Sequence, residues 1–295
     1  MNWFFLAISA AFCWAIGGVL VKRGFSSVPP LWNNIINNAL SIVIYIPAAL
    51  LLSQGKYNLD ISTAPLIAGA SLLYQVFYYA ISRGQISLTG TIVAGYPVFT
   101  ILLAHLFIGE RLLPLQYGGI TLILAGGILI ALPRGEPGKP DGPEPSLSSG
   151  MIRDRKLVWL LWGIFGAVSL GTGDFLAKLS IDRAGIFNYM VTIVLVSNIY
   201  SVLNYLIDRE NRPFPGASVG RIFPTLSGLI LNLIGFVFFL LAFRTGKVSL
   251  VAPVSSVYPA LTALLAVRFL KERVTTLQGG GIALIVSGLI LVGLS

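Results

Sequence analysis

Residues 96–119 read YPVFTILLAHLFIGERLLPLQYGG, and residues 258–281 read YPALTALLAVRFLKERVTTLQGGG. The two stretches lie 162 positions apart and align without a gap. Extending the alignment to residues 80–132 and 242–294 gives 24 identities in 53 positions. Shared hydrophobicity alone does not place Tyr-Pro, Glu-Arg and Gln-x-Gly-Gly in one register. The chain therefore contains two copies of one structural unit.

The composition is that of a membrane protein. Of 295 residues, 56% are hydrophobic and only 11% are charged, whereas soluble domains carry about 25% charged residues. The mean hydropathy is +0.85. The net charge of +9 comes from basic residues scattered singly between apolar runs. Because they form no basic patch or stripe, we expect membrane lipid and no nucleic acid as a partner.

Charged residues divide the chain into uncharged windows that we number as spans 1 to 10. A membrane-spanning helix needs roughly 20 apolar residues. Nine windows reach that length and the sixth is slightly short. Spanning strands would alternate polar and apolar residues, which these windows do not. The sequence predicts an all-α membrane protein with ten transmembrane helices. The windows are 1–21, 24–55, 61–82, 84–109, 112–133, 157–173, 184–207, 222–243, 248–267 and 274–295.

A hydrophilic segment divides the two copies. Residues 133–150 read PRGEPGKPDGPEPSLSSG, a composition that buries little apolar surface. We predict a first repeat at 1–133, a flexible Pro/Gly-rich linker at 134–156 and a second repeat at 157–295. Because five helices per repeat is an odd number, the second repeat enters from the opposite side of the membrane. The prediction is therefore two inverted five-helix repeats (5+5), an architecture of many secondary transporters.

The repeated motifs resemble those of EamA-type members of the drug/metabolite transporter superfamily, over essentially the full chain. The first half carries Tyr96-Pro97, Gly109-Glu110-Arg111 and Gln116-x-Gly118-Gly119, and the second half carries their counterparts. The resemblance implies a ten-helix carrier for amino acids, nucleotide sugars, drugs or other metabolites, often an exporter. It also implies cytoplasmic termini, whereas the distribution of Lys and Arg favours both termini outside. The orientation stays open.

We therefore predict a secondary transporter that moves a small organic metabolite, amino-acid-like or drug-like, by alternating access and in the direction of export. The expected location is the cell membrane, as a multi-pass protein of a prokaryotic inner membrane. The alternatives are a flippase of lipid-linked substrates from the same superfamily and a non-transporting accessory membrane protein. A membrane enzyme is disfavoured because acids and histidines do not cluster in the spans.

The residue inventory excludes several kinds of chemistry. Cys13 is the only cysteine and His105 the only histidine, which leaves no disulfide framework, thiolate metal site or His-based triad. No P-loop is present to drive pumping with ATP. We expect no catalytic residues, no cofactor and no metal. The expected partners are a small-molecule substrate and membrane lipid, with the protein as a monomer or a homodimer.

A helix of about 20 residues that starts near Leu157 extends beyond the uncharged window to about residue 176, so Asp174 is the one acidic residue that we place inside a span. A carboxylate inside a bilayer normally faces a cavity or a partner. Lys178 follows one helical turn later, so we predict that Asp174 and Lys178 form a polar pair. The pair either anchors the end of the helix, or Asp174 carries a proton or contacts a cationic group of the substrate.

Aromatic residues with polar tips suit an amphipathic substrate. We predict that they share one cavity with Asp174, although each single ring could instead belong to an interfacial belt. Pro97 and Pro259 are expected to kink spans 4 and 9, either as hinges or as packing kinks. Four asparagines at 33, 34, 37 and 38 favour interhelical hydrogen bonds over ligand binding. The predicted substrate-binding residues are Trp14, Tyr74, Tyr78, Tyr96, Asp174 and Tyr258.

Two further repeated features have structural interpretations. Gly119 and Gly126, like Gly281 and Gly288, form small-residue stripes that favour close helix packing. The Glu-Arg pairs at 110–111 and 272–273 follow spans 4 and 9, and we interpret them as turn and helix-capping charges.

Overall fold

The structure, a computed structural model, describes residues 2–24, 28, 30–57, 59–83, 93, 95–131, 149–209, 219–270 and 276–294. All regular secondary structure within these residues is helical, which confirms the predicted all-α class for them. Among the described residues, five helices are long and apolar enough to cross a membrane. Three shorter apolar helices lie at Pro97–Ile108, Pro114–Ile130 and Val248–Thr262. The count of ten spans stays a prediction.

The helices follow the predicted windows closely. A 3₁₀ turn at Ile61–Thr63 precedes α3, and a π-helical turn at Ala104–Ile108 extends α4. We number the helices in chain order as α1 (Trp3–Gly24), α2 (Pro30–Leu52), α3 (Ala64–Arg83), α4 (Pro97–Leu103), α5 (Pro114–Ala131), α6 (Ser149–Ile207), α7 (Val219–Thr245), α8 (Val248–Ser255), α9 (Tyr258–Leu270) and α10 (Thr276–Gly293).

Helix α6 is a 59-residue helical stretch that supplies both span 6 and span 7. Gly185 breaks it with φ 82° and ψ 165°, a conformation that glycine adopts far more readily than other residues. The first arm covers 149–184 and the second arm 186–207. Because α6 begins at Ser149, residues 149–156 are helical, and the bounds of the linker and of the repeats stay predictions. Residues 132–148 lie outside the described part.

The two repeated prolines lie at the starts of helical segments. Pro97 opens α4 after a turn at Gly95–Tyr96, and Pro259 is the second residue of α9. A break at Ser256–Val257 separates α8 from α9. A proline in the first turn of a helix costs little, because its missing N–H has no intrahelical partner there. The predicted kinks in spans 4 and 9 are therefore turns followed by new helical segments.

Helices α5 and α10 meet at their repeated glycines. A Cβ added to Gly119 would lie 2.8 Å from the Gly288 carbonyl oxygen, and one added to Gly281 would lie 2.8 Å from the Gly126 carbonyl oxygen. The early glycine of each helix faces the late glycine of the other, so the helices are antiparallel. Each of these two contacts corresponds to the other under the repeat offset of 162 residues, as expected for two helices that are related by a two-fold axis. This pair agrees with the predicted inverted repeat, and the full 5+5 arrangement stays a prediction.

The first helix of each half packs against the third helix of the other half. Helix α1 lies against α7, where a Cβ on Gly17 would come within 2.7 Å of the Gly228 carbonyl oxygen. The first arm of α6 lies against α3, where a Cβ on Gly173 would come within 3.2 Å of the Tyr74 ring. Side chains from both halves therefore meet in one shared interior.

Candidate functional site

Asp174 lies in that shared interior and is only 2% exposed. Its Oδ1 atom accepts a hydrogen bond of 2.8 Å from the Tyr74 hydroxyl, which α3 supplies. Its Oδ2 atom has no hydrogen-bond partner among the described residues. Gly173, directly before Asp174, leaves room for the Tyr74 ring against the α6 backbone. The local sequence thus allows a tyrosine of the first half to reach a carboxylate of the second.

Lys178 does not pair with Asp174, which corrects the predicted polar pair. The Lys178 ammonium group donates to Asp182 Oδ1 at 2.8 Å and to the Phe243 carbonyl oxygen at 2.7 Å. Phe243 lies in the last turn of α7, where backbone carbonyls lack helical partners. Lys178 therefore caps α7 and binds Asp182, one turn further from the centre. Asp174 is left without a cationic partner among the described residues.

A connected group of aromatic rings surrounds this position. Trp14 contacts Phe239 and Tyr258, with ring centroids 5.2 Å and 6.0 Å apart. Phe236 contacts Phe239 at 6.1 Å and the Tyr74 ring at 5.9 Å in an edge-to-face arrangement. The Trp14 indole N–H donates to the Asn232 carbonyl oxygen at 3.1 Å, which fixes that ring against α7.

Tyr96 joins the same group from the start of α4. It is 5% exposed, and its hydroxyl donates to the Ala252 carbonyl oxygen on α8 over 3.4 Å. Close approach of α4 to α6 depends on Gly171, where a Cβ would lie 2.7 Å from the Tyr96 carbonyl oxygen.

The structure brings together five of the six predicted substrate-binding residues, namely Trp14, Tyr74, Tyr96, Asp174 and Tyr258. We call these five residues the central cluster. The side chain of Tyr78 lies outside the described part. Their role in binding stays a prediction, because proximity alone does not establish a ligand.

Sequence reasoning missed three residues beside the central cluster. Phe236 and Phe239 supply the rings that link Trp14 to Tyr74. Tyr189 is fully buried, and its hydroxyl lies near Tyr74 and Asp174 without the geometry of a hydrogen bond. Nothing local distinguishes these rings from other aromatic residues in apolar helices, although Phe236 stands 162 positions after Tyr74, which is the repeat offset.

A second polar group joins α2, α3 and the second arm of α6. The Asn38 amide donates to the Ser201 hydroxyl at 2.6 Å and to the Ser197 carbonyl oxygen at 3.1 Å. The Asn34 amide donates to Gln75 Oε1 at 2.9 Å. These bonds confirm the interhelical interpretation for Asn34 and Asn38, and they stabilise helix contacts where lipid offers no hydrogen bonds.

Comparison with known proteins places the chain in a family. The model of the EamA-like transporter family matches residues 1–132 and matches again at residues 157–294. The chain belongs to the EamA-like transporter family. Membership makes this EamA protein a multi-pass membrane transporter of the drug/metabolite transporter superfamily, and not an enzyme.

Individual relatives of the EamA protein agree with that assignment. An uncharacterized transporter of Archaeoglobus fulgidus is 24% identical over 294 residues, covering 97% of this chain and 96% of the relative. An uncharacterized protein of Methanocaldococcus jannaschii is 32% identical over 136 residues, which cover 46% of this chain and 96% of the relative. That second relative thus has about the length of one repeat. A protein crystal structure shares the fold with a TM-score of 0.72 at 18% identity, covering 99% of this chain and 96% of the solved chain.

Proposed function

We propose that this EamA protein is a secondary transporter of a small organic molecule that carries a cationic group, and that the central cluster binds that molecule. The observation that carries the proposal is the buried Asp174 carboxyl group, whose Oδ2 atom has no hydrogen-bond partner among the described residues. Amino-acid-like and drug-like amines have the required chemistry, and export is the proposed direction.

The charge of the site supports a cationic substrate group. A buried carboxylate is costly unless a cation or several hydrogen bonds compensate it. Tyr74 supplies one hydrogen bond, and Lys178 is occupied by Asp182 and the α7 terminus. Either a substrate cation or a proton therefore completes the site. An ammonium group near Oδ2 would also face the rings of the cluster, which attract cations.

The position of the cluster supports alternating access. Trp14, Tyr74 and Tyr96 belong to the first half, whereas Asp174 and Tyr258 belong to the second. A movement of one half against the other would change both the shape of the site and its exposure to either side. The turns before Pro97 and Pro259 adjoin Tyr96 and Tyr258, and we propose them as hinges for that movement.

The test begins with cells that contain or lack the gene, whose small-molecule contents are compared. Compounds that accumulate in the absence of the protein are then offered to purified protein in liposomes. The proposal predicts concentrative or gradient-driven flux of a compound that carries an amine or another cationic group. It fails if only neutral or anionic compounds are moved, or if reconstituted protein moves none of the compounds that respond in cells.

A further inference from the structure

The Glu110 carboxylate joins the two halves at one membrane face. Its Oε1 atom accepts the Val248 N–H at 3.1 Å, and its Oε2 atom accepts the Ser249 N–H at 3.0 Å. Both N–H groups belong to the first turn of α8, where helical N–H groups lack intrahelical partners. A carboxylate there also interacts favourably with the helix dipole. Glu110 of the first half therefore caps a helix of the second half.

Helix α8 has no cap of its own that could replace Glu110. Lys247 occupies the N-cap position, and its side chain makes no capping hydrogen bond. Its ammonium group instead donates to the Arg111 carbonyl oxygen at 2.5 Å. Each half thus donates to the other or accepts from it at this point. Glu110 of the first half accepts from α8 of the second half, and Lys247 of the second half donates to Arg111 of the first half. We call these three hydrogen bonds the Glu110 latch.

The local backbone fixes Glu110 in position. Gly109 ends the π-helical turn in the left-handed conformation, with φ 73°. The Glu110 N–H donates to the Ala104 carbonyl oxygen at 3.2 Å, and His105 Nδ1 lies 3.1 Å from the Glu110 carbonyl oxygen. The carboxylate therefore reaches α8 from a defined turn. This contact gives the Gly-Glu-Arg stretch of the first half, in which Glu-Arg is repeated, a role beyond its own turn.

Other bonds between the halves lie at the same face. Arg244, three residues before Lys247, donates to the Leu52 carbonyl oxygen at the end of α2 over 3.3 Å. Asn188, near the start of the second arm of α6, accepts the Asp60 N–H at 2.9 Å and donates to Thr63 at 2.8 Å. Hydrogen bonds therefore join the two halves at several points of this face.

Helix α8 connects the latch to the central cluster. All eight of its residues, Val248–Ser255, are buried. Ala252, whose carbonyl oxygen accepts the Tyr96 hydroxyl, lies four residues after Val248, about 6 Å along the helix axis from the capped end. Fixing the first turn of α8 to the loop after α4 therefore also fixes the wall of the cluster that α8 supplies.

We propose that the Glu110 latch closes the central cluster toward this face, and that its release is the step that opens the cluster on this side. The inference rests on the proposed function, because alternating access requires one state open to each side of the membrane and the latch is assigned to the state that is closed toward this face. Glu272 holds the corresponding sequence position in the second half but lies outside the described residues, so the proposal concerns Glu110 alone.

The test measures access to the cluster without a substrate. Cys13→Ser removes the only native cysteine, and Ser256→Cys then reports on the break between α8 and α9 beside Tyr258. A membrane-impermeant maleimide is applied to vesicles of each orientation. A separate Lys56→Cys variant identifies the face, because Lys56 is exposed and lies four residues after Leu52. We expect Glu110→Gln to accelerate labelling of the introduced reporter thiol from that face about tenfold. This factor corresponds to the free energy that is lost when one helix cap is removed.

The matched control is Asp60→Asn. The Asp60 carboxylate also accepts a backbone N–H at the start of a helix, but its partner Ser62 belongs to the same half. Labelling in this control should stay at the parent rate. Lys247→Met serves as a second variant, because it removes the bond to Arg111 from an exposed side chain and should also accelerate labelling. If Glu110→Gln does not fold, labelling of Lys247→Met decides the question alone.

The possible outcomes separate the latch from the proposed function. Parent-like labelling in both latch variants overturns the latch, even if the protein transports a cationic compound. Faster labelling in the latch variants together with no transport of any compound supports the latch and rejects the proposed function. Faster labelling in the Asp60 control as well would show general loosening and would also overturn the latch.

Discussion

Replacing Asp174 with Asn tests the charge at the centre of the proposed site. Asn has nearly the same size and keeps an acceptor for the Tyr74 hydroxyl at the position of Oδ1. Removing one partner of a buried ion pair costs about 3–5 kcal/mol. This cost corresponds to a roughly 100-fold or greater loss of affinity for a cationic substrate. We therefore expect Asp174→Asn to fold normally and to bind substrate far more weakly.

The stability of the substrate-free protein should change in the opposite direction. The Oδ2 atom of Asp174 is buried without a partner, and a neutral amide there has a smaller desolvation cost than a carboxylate. We expect a gain of about 1 kcal/mol in the free energy of unfolding. Higher stability combined with weaker binding distinguishes a substrate-binding carboxylate from one that anchors a helix.

The assay is flux into liposomes over a series of pH values, with equal amounts of inserted protein, together with thermal unfolding of each variant without substrate. Asp182→Asn is the matched control, because Asp182 lies on the same helix and its side chain is 42% exposed. That control should change substrate affinity by less than about tenfold. Normal affinity and flux of Asp174→Asn at every pH would refute both a substrate role and a proton-coupling role for Asp174.

Three further predictions concern packing and capping. Gly119→Ala places a methyl group 2.8 Å from a backbone oxygen of α10 and should destabilise the protein by about 1–3 kcal/mol, measured by unfolding in detergent. In the control Gly118→Ala, the new methyl group meets nothing within 4 Å, so stability should be unchanged or higher in the same assay. Asn38→Ala removes bonds to the second arm of α6 and should cost about 1–2 kcal/mol, measured by denaturant unfolding in detergent. Hydrogen bonds from Ser62 lower the pKa of Asp60, so its contribution to stability is present above the unfolded-state pKa and is lost as pH falls through the lower folded-state pKa. Asp60→Ala should therefore differ from wild type in stability at neutral pH, and a difference that persists unchanged in strong acid would contradict the capping role.

Much of the fold could be predicted from local composition. Lipid imposes one simple requirement, that backbone polar groups be satisfied within helices, so apolar windows predict helices directly. The repeated glycines predicted close helix packing, and the structure shows that α5 and α10 are the two helices that meet there. The ends of the helices were harder to predict from the sequence. The start of α6 at Ser149 lies in a stretch whose composition favours a linker, so composition does not indicate where this helix begins.

The central cluster could be predicted in part. Asp174 could be selected because a carboxylate has few partners in lipid, and Tyr96 and Tyr258 because they adjoin the repeated prolines. Trp14 and Tyr74 could be selected as aromatic residues with polar tips on other spans. Phe236 and Phe239 could not be selected in this way, since a phenylalanine in an apolar helix faces lipid or protein according to rotation of the helix. The rotation of α7 is set by its packing against α1 and α2, which the local sequence does not contain.

The sequence by itself determined that this protein is helical, membrane-embedded and duplicated, because hydropathy and repetition are properties of the chain alone. Only the tertiary structure decided which polar groups pair. Lys178 is within reach of both Asp174 and Asp182 along one helix, and spacing cannot choose between them. The choice depends on the Phe243 carbonyl oxygen, 65 residues away in sequence, which draws the ammonium group toward the end of α7. Asp174 keeps an unpaired oxygen for that reason, and the proposed chemistry of the site follows from it.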